Sequence, residues 1–340
     1  MSGIDYANCA DWRIIFDNPS NTSELKKRYR IIAKKFHPDT YKDDKAFKNI
    51  GEKYKEAIEY FEISQGTNKT VKSQDSILEV RDKFGKGFNL QYIRKDETGG
   101  NTVYTSRSKV CLKFELDNKE LYENYLKAYN DIDYPNEEVK KSLAICFPTN
   151  VKTVEGEDGY YIIMSRTADV INLRQLLDYY DKTGKIWENK YRHCVWIINR
   201  IYNMVCLMQA NEKVFNGFDC ENIYISPLYH TALLLNGWQY CVDVNKKMIG
   251  TTQDIFDIMS ITCKDKKLAE YRTDTESIRM IGRELFDKDA PKEFREFFER
   301  AGSDNALEDW KSFEKLFINV YGERKFYTFD IDGNEVLQKA

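Results

Sequence analysis

The stretch SELKKRYRIIAKKFHPDT, Ser23 to Thr40, decides the fold of the N-terminal part of this chain. Its apolar residues recur at spacings of four and three, which predicts an amphipathic helix from Ser23 to Phe36. The apolar positions are Leu25, Tyr29, Ile32 and Phe36. Lysines and arginines fall largely on the other side of the helix. We therefore expect one face that packs and a second, cationic face that is available for binding.

The tripeptide His37-Pro38-Asp39 follows directly and is predicted to end this helix. Proline lacks a backbone N–H and keeps the preceding residue out of the helical region, so His37 and Asp39 are expected to be displayed in a loop. A second amphipathic pattern runs from Phe47 to Phe61, again with apolar spacings of three and four. We expect this second helix to lie against the first as an antiparallel pair.

Residues Asp11 to Phe61 together resemble a J domain of the DnaJ family. The resemblance rests on WRIIF from Trp12, on the stretch from Ser23, and on AFKNIGEKYKEAIEYF from Ala46, which stand in register. It implies a domain over residues 1–63 that docks on the ATP-bound form of a DnaK-type chaperone and stimulates its ATP hydrolysis. Its cationic helix face would steer and hold an acidic surface of the ATPase. The implied chaperone-binding residues are His37, Pro38, Asp39, Lys26, Lys27, Arg30 and Lys34.

Composition limits what the rest of the chain can be. Its 340 residues are too many for a J domain alone and predict two or three globular units. A hydrophobic share of 42%, a charged share of 31% and a net charge of −3 indicate a globular, near-neutral chain, with no reason to expect a nucleic-acid partner. No apolar run approaches the roughly 18 to 20 residues that span a bilayer, and no signal-peptide pattern begins the chain. We expect a cytoplasmic protein without a membrane partner.

The eight cysteines are scattered without a Cys-x-x-Cys pair, so reduced core residues are expected and a zinc site is not. The sequence SQGTNKTVKSQDS, Ser64 to Ser76, is polar and typical of a linker. We place a domain boundary there and assign residues 64–80 to the linker.

Beyond the linker, strand and helix patterns follow one another in a set order. Strands are predicted at Leu90–Ile93, Thr102–Tyr104, Val110–Lys113 and Tyr160–Met164, and helices at 118–130, 172–180, 191–210, 273–282, 291–300 and 306–320. This order resembles the protein kinase fold. The resemblance implies a two-lobed α+β domain with an N-lobe at 81–165, a C-lobe at 166–330 and a tail at 331–340.

The kinase resemblance also implies roles for several N-lobe residues. Lys113 falls on the lysine that pairs with the α and β phosphates of a nucleotide, and Gly99 and Gly100 fall on the glycine loop that covers them. Glu123 would be the acid that pairs with Lys113, although Glu120 is equally well spaced. Taken alone, two adjacent glycines more often form a hairpin turn. The assignment therefore rests on the order of the segments along the chain.

The region that aligns with the catalytic loop departs from the kinase pattern. Asn222 falls on the magnesium-binding asparagine, but Gly217 stands where the catalytic aspartate is expected, and Asn236 replaces the magnesium-binding aspartate. Glycine cannot accept the proton of a substrate hydroxyl, and a neutral amide is a poor ligand for Mg²⁺. Asp219 is left open as a substitute base. Asp274 matches the aspartate that braces the catalytic loop, a structural role.

We therefore predict a J-domain co-chaperone fused to a pseudokinase, which resembles divergent J/kinase-like proteins of large bacteriophages. No catalytic residue, metal or required cofactor is expected, weak ATP binding is left open, and the second domain would recognise an unknown client protein. One alternative is an active atypical Ser/Thr protein kinase that its J domain targets to chaperone complexes, which Lys113 and Asn222 favour. Another is a pair of inert scaffold modules.

Overall fold

The computed structural model describes residues 4–19, 22–36, 44–65 and 76–340. The chain divides into two compact units, of which unit 1 comprises residues 1–74 with 325–328 and unit 2 comprises residues 75–324 with 329–340. His37-Pro38-Asp39 lies outside the described residues, so its predicted display in a loop stays a prediction. None of the described helices combines the length and the apolar character that crossing a membrane requires.

The described part of unit 1 is helical, with α1 at Trp12–Ile15, α2 at Thr22–Phe36 and α3 at Asp44–Gln65. Asp11 caps α1, since its side chain accepts a hydrogen bond from the Arg13 N–H at 2.9 Å. An aromatic cluster holds the helices together: the Tyr29 and Tyr54 ring centroids are 4.2 Å apart, and the Phe16 ring lies 6.1 Å from each. Such ring pairs contribute about 0.5–1.5 kcal/mol each beyond the area that they bury.

Burial along α2 and α3 follows the predicted apolar stripes. On α2, Leu25, Tyr29 and Phe36 are buried and Ile32 is half-buried. On α3, Ile50, Tyr54 and Ala57 are buried and Phe47 is half-buried, while the side chain of Phe61 lies outside the described part. On the opposite side of α2, Lys27, Lys34 and Lys35 are exposed. The predicted division into a packed face and a cationic face is therefore present.

The N-lobe of unit 2 begins with a hairpin of β1 (Ser76–Arg81) and β2 (Gly87–Tyr92). A five-stranded antiparallel sheet follows, in the order β3-β4-β5-β7-β6. Its strands are β3 (Arg94–Glu97), β4 (Thr102–Thr105), β5 (Lys109–Phe114), β6 (Lys152–Glu155) and β7 (Tyr160–Ser165). Helices α4 (Lys119–Asn130) and α5 (Glu137–Leu143) lie between β5 and β6 in the chain.

Strand β1 corrects the predicted linker at 64–80, because the chain is already part of a hairpin at Ser76. Val80 is fully buried and packs with Leu90 and Tyr104 on the outer side of the sheet. The alternation in SILEVR is too short to stand out beside the polar run that precedes it. Only the partner strand β2 makes the stretch a strand.

The C-lobe is mainly helical and contains two small antiparallel sheets, β11-β10-β8 and β12-β9. Its strands are β8 (Ile171–Asn172), β9 (Lys213–Val214), β10 (Ile223–Ser226), β11 (Thr231–Leu234) and β12 (Val242–Asp243). Its helices are α6 (Leu173–Thr183), α7 (Lys190–Ala210), α8 (Gln253–Ile258), α9 (Ile261–Lys266), α10 (Tyr271–Leu285), α11 (Lys292–Phe298), α12 (Ala306–Tyr321) and α13 (Gly333–Lys339).

Helix α7 is the centre of the C-lobe. An apolar stripe on this helix is buried along its whole length, at Val195, Ile198, Ile201, Val205 and Met208. The core that contains this stripe continues into the N-lobe, where it includes Leu112 of β5 and Tyr125 of α4. Because one hydrophobic core joins both lobes, the polar loops at their junction are held in place by packing on either side.

The C-terminal stretch corrects the predicted tail at 331–340. Helix α13 packs on α6, and its residues Val336 and Leu337 are buried. Just before it, the Phe329 ring stacks on Trp187 with centroids 5.2 Å apart. A seven-residue helix has too few apolar positions to be predicted by periodicity. Its partner surface on α6 is what stabilises it.

Candidate functional site

Asp274 holds the loop that aligns with the kinase catalytic loop. Its two carboxylate oxygens accept hydrogen bonds from the N–H groups of Phe215 at 2.8 Å and Asn216 at 3.0 Å. The side chain sits on α10 and is 2% exposed, and this burial raises its pKa to about 7 against the lowering effect of both donors. The backbone just before Gly217 is therefore held in place by a buried carboxyl group.

Gly217 has no catalytic side chain, and a Cβ atom added to it would be in tight contact with the backbone of Gly237. A Cβ atom added to it would lie 3.0 Å from the Gly237 carbonyl oxygen and 3.1 Å from the Gly237 Cα. Gly237 in turn has φ of +92°, and a Cβ on it would lie 2.8 Å from the Phe215 ring. The loop aligned with the catalytic loop thus packs, backbone against backbone, on the loop aligned with the metal-binding segment.

Asp219, which the sequence leaves open as a substitute base, closes a turn of its own loop. Its Oδ1 accepts the N–H of Glu221 at 3.0 Å and that of Asn222 at 2.8 Å. Burial raises its pKa to about 7, a value that would suit a general base. The side chain is only 2% exposed, however, so a substrate hydroxyl has no access to it. We interpret Asp219 as a structural acceptor.

The two asparagines aligned with magnesium ligands are buried and differ in their partners. Asn236 is fully buried, and its Oδ1 accepts a hydrogen bond from the Asn101 Nδ2 of the N-lobe turn at 2.8 Å. Asn222 is 1% exposed, and its Oδ1 has no hydrogen-bond partner in the described part of the chain. With one amide oxygen already bonded and the Asp219 Oδ1 held by backbone donors, these residues do not fit Mg²⁺ bound to a nucleotide.

The turn that contains Gly99 and Gly100 rests on the C-lobe. A Cβ at Gly100 would lie 2.6 Å from the Tyr240 hydroxyl oxygen, and the Gly100 carbonyl accepts a hydrogen bond from the Asn118 side chain at 3.3 Å. The glycine is needed here because another side chain approaches its Cα closely. In the kinase alignment this turn would cover phosphates, whereas here Tyr240 occupies the space beneath it.

Helix α4 is tied to the same C-lobe segment by side-chain donors. The Asn124 Nδ2 donates to the carbonyl oxygens of Gln239 and Cys241, both at 2.9 Å. The buried Tyr125 hydroxyl donates to the Leu235 carbonyl at 3.0 Å. Together with the Asn101–Asn236 pair, these bonds connect the lobes across the cleft. None of the N-lobe donors was singled out by the sequence, because an isolated asparagine or tyrosine carries no signal of its partner.

The structure corrects the expectation for Lys113. Its Nζ lies 3.1 Å from Asp158 and 3.5 Å from Glu115, while Glu123 pairs with Lys119 at 3.1 Å. The alternative Glu120 forms no ion pair among the described residues. Neither predicted partner therefore contacts Lys113.

The cause lies in the pleat of β5. Phe114 points towards α4, where its ring lies 6.0 Å from that of Tyr122 and 6.3 Å from that of Tyr125. Side chains alternate along a strand, so Lys113 points to the opposite face of the sheet, with Cys111. That face packs under the β1–β2 hairpin rather than towards the cleft. Lys113 is thus on the wrong side of the sheet to hold phosphates between the lobes.

Comparison with known proteins identifies the fold of this chain but does not identify a family. No protein-family model matches the chain, and neither does any curated protein. Among solved structures, it is similar to ROP2 from Toxoplasma gondii, described as a virulence factor with a protein-kinase fold and no enzymatic activity. The TM-score is 0.50 and the identity 12%, over 74% of this chain and 86% of that chain. It is also similar to the BubR1 kinase domain, with a TM-score of 0.49 and 10% identity over 84% of this chain and 94% of that chain.

The likeness to ROP2 shows that this chain contains a two-lobed α+β protein-kinase-like fold. That part of the sequence-based prediction is confirmed. The helices of unit 1 are compatible with a J domain, which itself stays a prediction.

Proposed function

We propose that unit 2 is a pseudokinase, a kinase-like domain that binds other proteins and transfers no phosphoryl group. The observation that carries this proposal is the direct contact between Gly217 and Gly237. Phosphoryl transfer depends on positioning and on charge stabilisation by a base, metal ions and a phosphate-binding lysine. Here a side chain at the base position would be crowded by the Gly237 backbone, Asn236 is bonded to Asn101, and Lys113 points away from the cleft.

The test is transfer of radiolabel from ATP to the protein or to a generic substrate, with and without Mg²⁺. We expect no transfer above that of a heat-denatured sample. The contrary outcome is robust transfer that is lost in Asn222→Ala and retained in the matched surface variant Asn130→Ala. That outcome would support the active atypical kinase instead, because Asn222 would then be a working metal ligand.

Unit 1, in this proposal, is a cytoplasmic J domain that recruits a DnaK-type chaperone to whatever unit 2 binds. Support comes from α2, whose buried stripe and exposed Lys27 and Lys34 give the packed and cationic faces that such docking uses. Complementary charge mainly speeds the encounter and sets the orientation. His37 and Asp39 would then make the contacts that stimulate ATP hydrolysis.

The corresponding experiment measures ATP hydrolysis by a DnaK-type chaperone in the presence of the full chain. We expect stimulation, and we expect His37→Gln to abolish it while thermal melting stays unchanged, because a side chain that the sequence predicts to be displayed in a loop should contribute little to stability. A His37→Gln protein that melts normally and stimulates as well as the parent would refute the co-chaperone function. The pseudokinase proposal would be unaffected.

A further inference from the structure

Four exposed lysines lie close together on the segment between β12 and α10. They are Lys246, Lys247, Lys266 and Lys267, here called the lysine patch. Two stretches of backbone bring them together. Lys247 and Leu268 form an antiparallel bridge, the Met248 N–H donates to the Lys267 carbonyl at 2.8 Å, and the Ala269 N–H donates to the Lys246 carbonyl at 2.9 Å. The backbone positions of the four lysines are thus brought together by tertiary structure.

The lysine patch is not neutralised within the described part of the chain. None of its four ammonium groups forms an ion pair there. The nearby Lys213, by contrast, bridges Asp131 at 2.7 Å and Asp243 at 3.1 Å. Like charges held together repel one another and raise the local positive potential. An anionic partner would relieve that repulsion.

Apolar side chains adjoin the lysine patch. Phe256 on α8 is 42% exposed and Ile261 on α9 is 78% exposed. Helix α9 carries Ile261, Lys264 and Lys266, and the Lys264 Nζ lies 5.3 Å from the Phe256 ring centroid and donates to the Asp257 carbonyl of α8. Beneath this surface Ile255, Met259 and Cys263 form a small core that also includes Met248. The cationic and apolar elements are therefore parts of one supported surface.

We propose that the lysine patch, with Phe256 and Ile261, binds an acidic segment of a partner protein that also carries apolar side chains. Acidic groups on the partner would be complementary in charge to the lysine patch. Apolar groups on the partner would pack against Phe256 and Ile261. A nucleic acid fits less well. Its phosphates follow one another without interruption, whereas Asp254, Asp257 and Asp265 are exposed on the same helices and would repel them. A peptide can space its carboxylates to avoid these positions.

The test uses the full chain and a fluorescein-labelled synthetic peptide in which pairs of aspartates alternate with leucine, with binding followed by fluorescence anisotropy. We expect the double variant Lys247→Glu/Lys267→Glu to weaken binding by about tenfold, as two attractive charge contacts become repulsive. The matched control Lys311→Glu/Lys315→Glu reverses two exposed lysines of α12 that also form no ion pair among the described residues. It should bind within about twofold of the parent.

Further arms separate the alternatives. Ile261→Ser and a peptide with asparagine in place of aspartate should each weaken binding, and added salt should do the same. The proposal is overturned if the peptide does not bind, or if the patch and control variants bind it equally. It is also overturned if single-stranded oligodeoxythymidine binds through the patch more tightly than the peptide. If the charge-reversal variant melts early, Lys247→Gln/Lys267→Gln replaces it. The outcome is independent of whether unit 1 docks on a chaperone.

Discussion

Unit 1 and unit 2 differ in how their functional residues are arranged. In unit 1 the implied binding residues all fall between Lys26 and Asp39, on one helix face and the segment that follows it. In unit 2 the junction of the lobes is built from Asn101, Gly217, Asn236 and Tyr240, which are far apart in the chain. A binding surface made from one helix is formed whenever that helix folds. A junction made from distant segments depends on how every one of them packs.

The same difference bears on the proposed loss of activity in the kinase-like unit. Gly217 and Asn236 stand at the two positions where the kinase pattern implies a base and a metal ligand. The two loops contact each other directly, and the Tyr240 hydroxyl lies against the glycine turn. We therefore expect that restoring the two carboxylates alone would not restore a site. Each of the following experiments perturbs one side of this comparison.

The largest effect is expected from Gly217→Asp in unit 2. The new side chain would be crowded against the Gly237 backbone, and its carboxylate would be buried next to a carbonyl oxygen. We expect a loss of about 3 kcal/mol or more in the free energy of unfolding, measured with denaturant, and no gain of kinase activity. The matched control is Gly250→Asp, because a Cβ at Gly250 meets only the Tyr240 ring at 3.5 Å. A stable, phosphorylating Gly217→Asp protein would show that the cleft can open.

An intermediate effect is expected from pH. The pKa of Asp219 is about 7 in the folded protein, raised by burial, and near 4 when unfolded. Its neutral form is therefore favoured by folding, so stability is highest below the unfolded pKa and falls as pH rises towards 7. Asp219→Asn keeps an oxygen for the Glu221 and Asn222 N–H groups but cannot ionise. We expect the free energy of unfolding, measured with denaturant, to fall between pH 5 and pH 7 by roughly 2 kcal/mol less in the variant than in the parent. Parallel stability curves would contradict a buried, neutral Asp219.

The smallest effect is expected in unit 1. Lys27 and Lys34 are seven residues apart and share a helix face. Reversing both to glutamate should weaken chaperone binding by about tenfold, or about 1.4 kcal/mol, and reduce its dependence on salt. Lys48→Glu with Lys53→Glu, on α3, is the control. Equal losses in both variants would mean that net charge matters and that the cationic face does not.

Local periodicity was enough to predict much of this molecule. Helices α2 and α7 were predicted near their observed positions, because each segment contains several turns of periodically spaced apolar residues. The antiparallel N-lobe strands β4, β5 and β7 were predicted for a similar reason. Shorter elements were missed: β1 was assigned to the linker and α13 to the tail. Both are stabilised by a partner outside their own segment, β1 by β2 and α13 by α6.

The sequence by itself determined the kinase-like order of elements, the absence of two carboxylates at Gly217 and Asn236, and the cationic side of α2. Tertiary structure alone decided which face of β5 carries Lys113, and it alone brought Asn101 to Asn236. The reason is physical. A residue's identity and its local period belong to its own segment, but the face that it presents and the partner that it meets depend on strand register and on packing against segments far away in the chain.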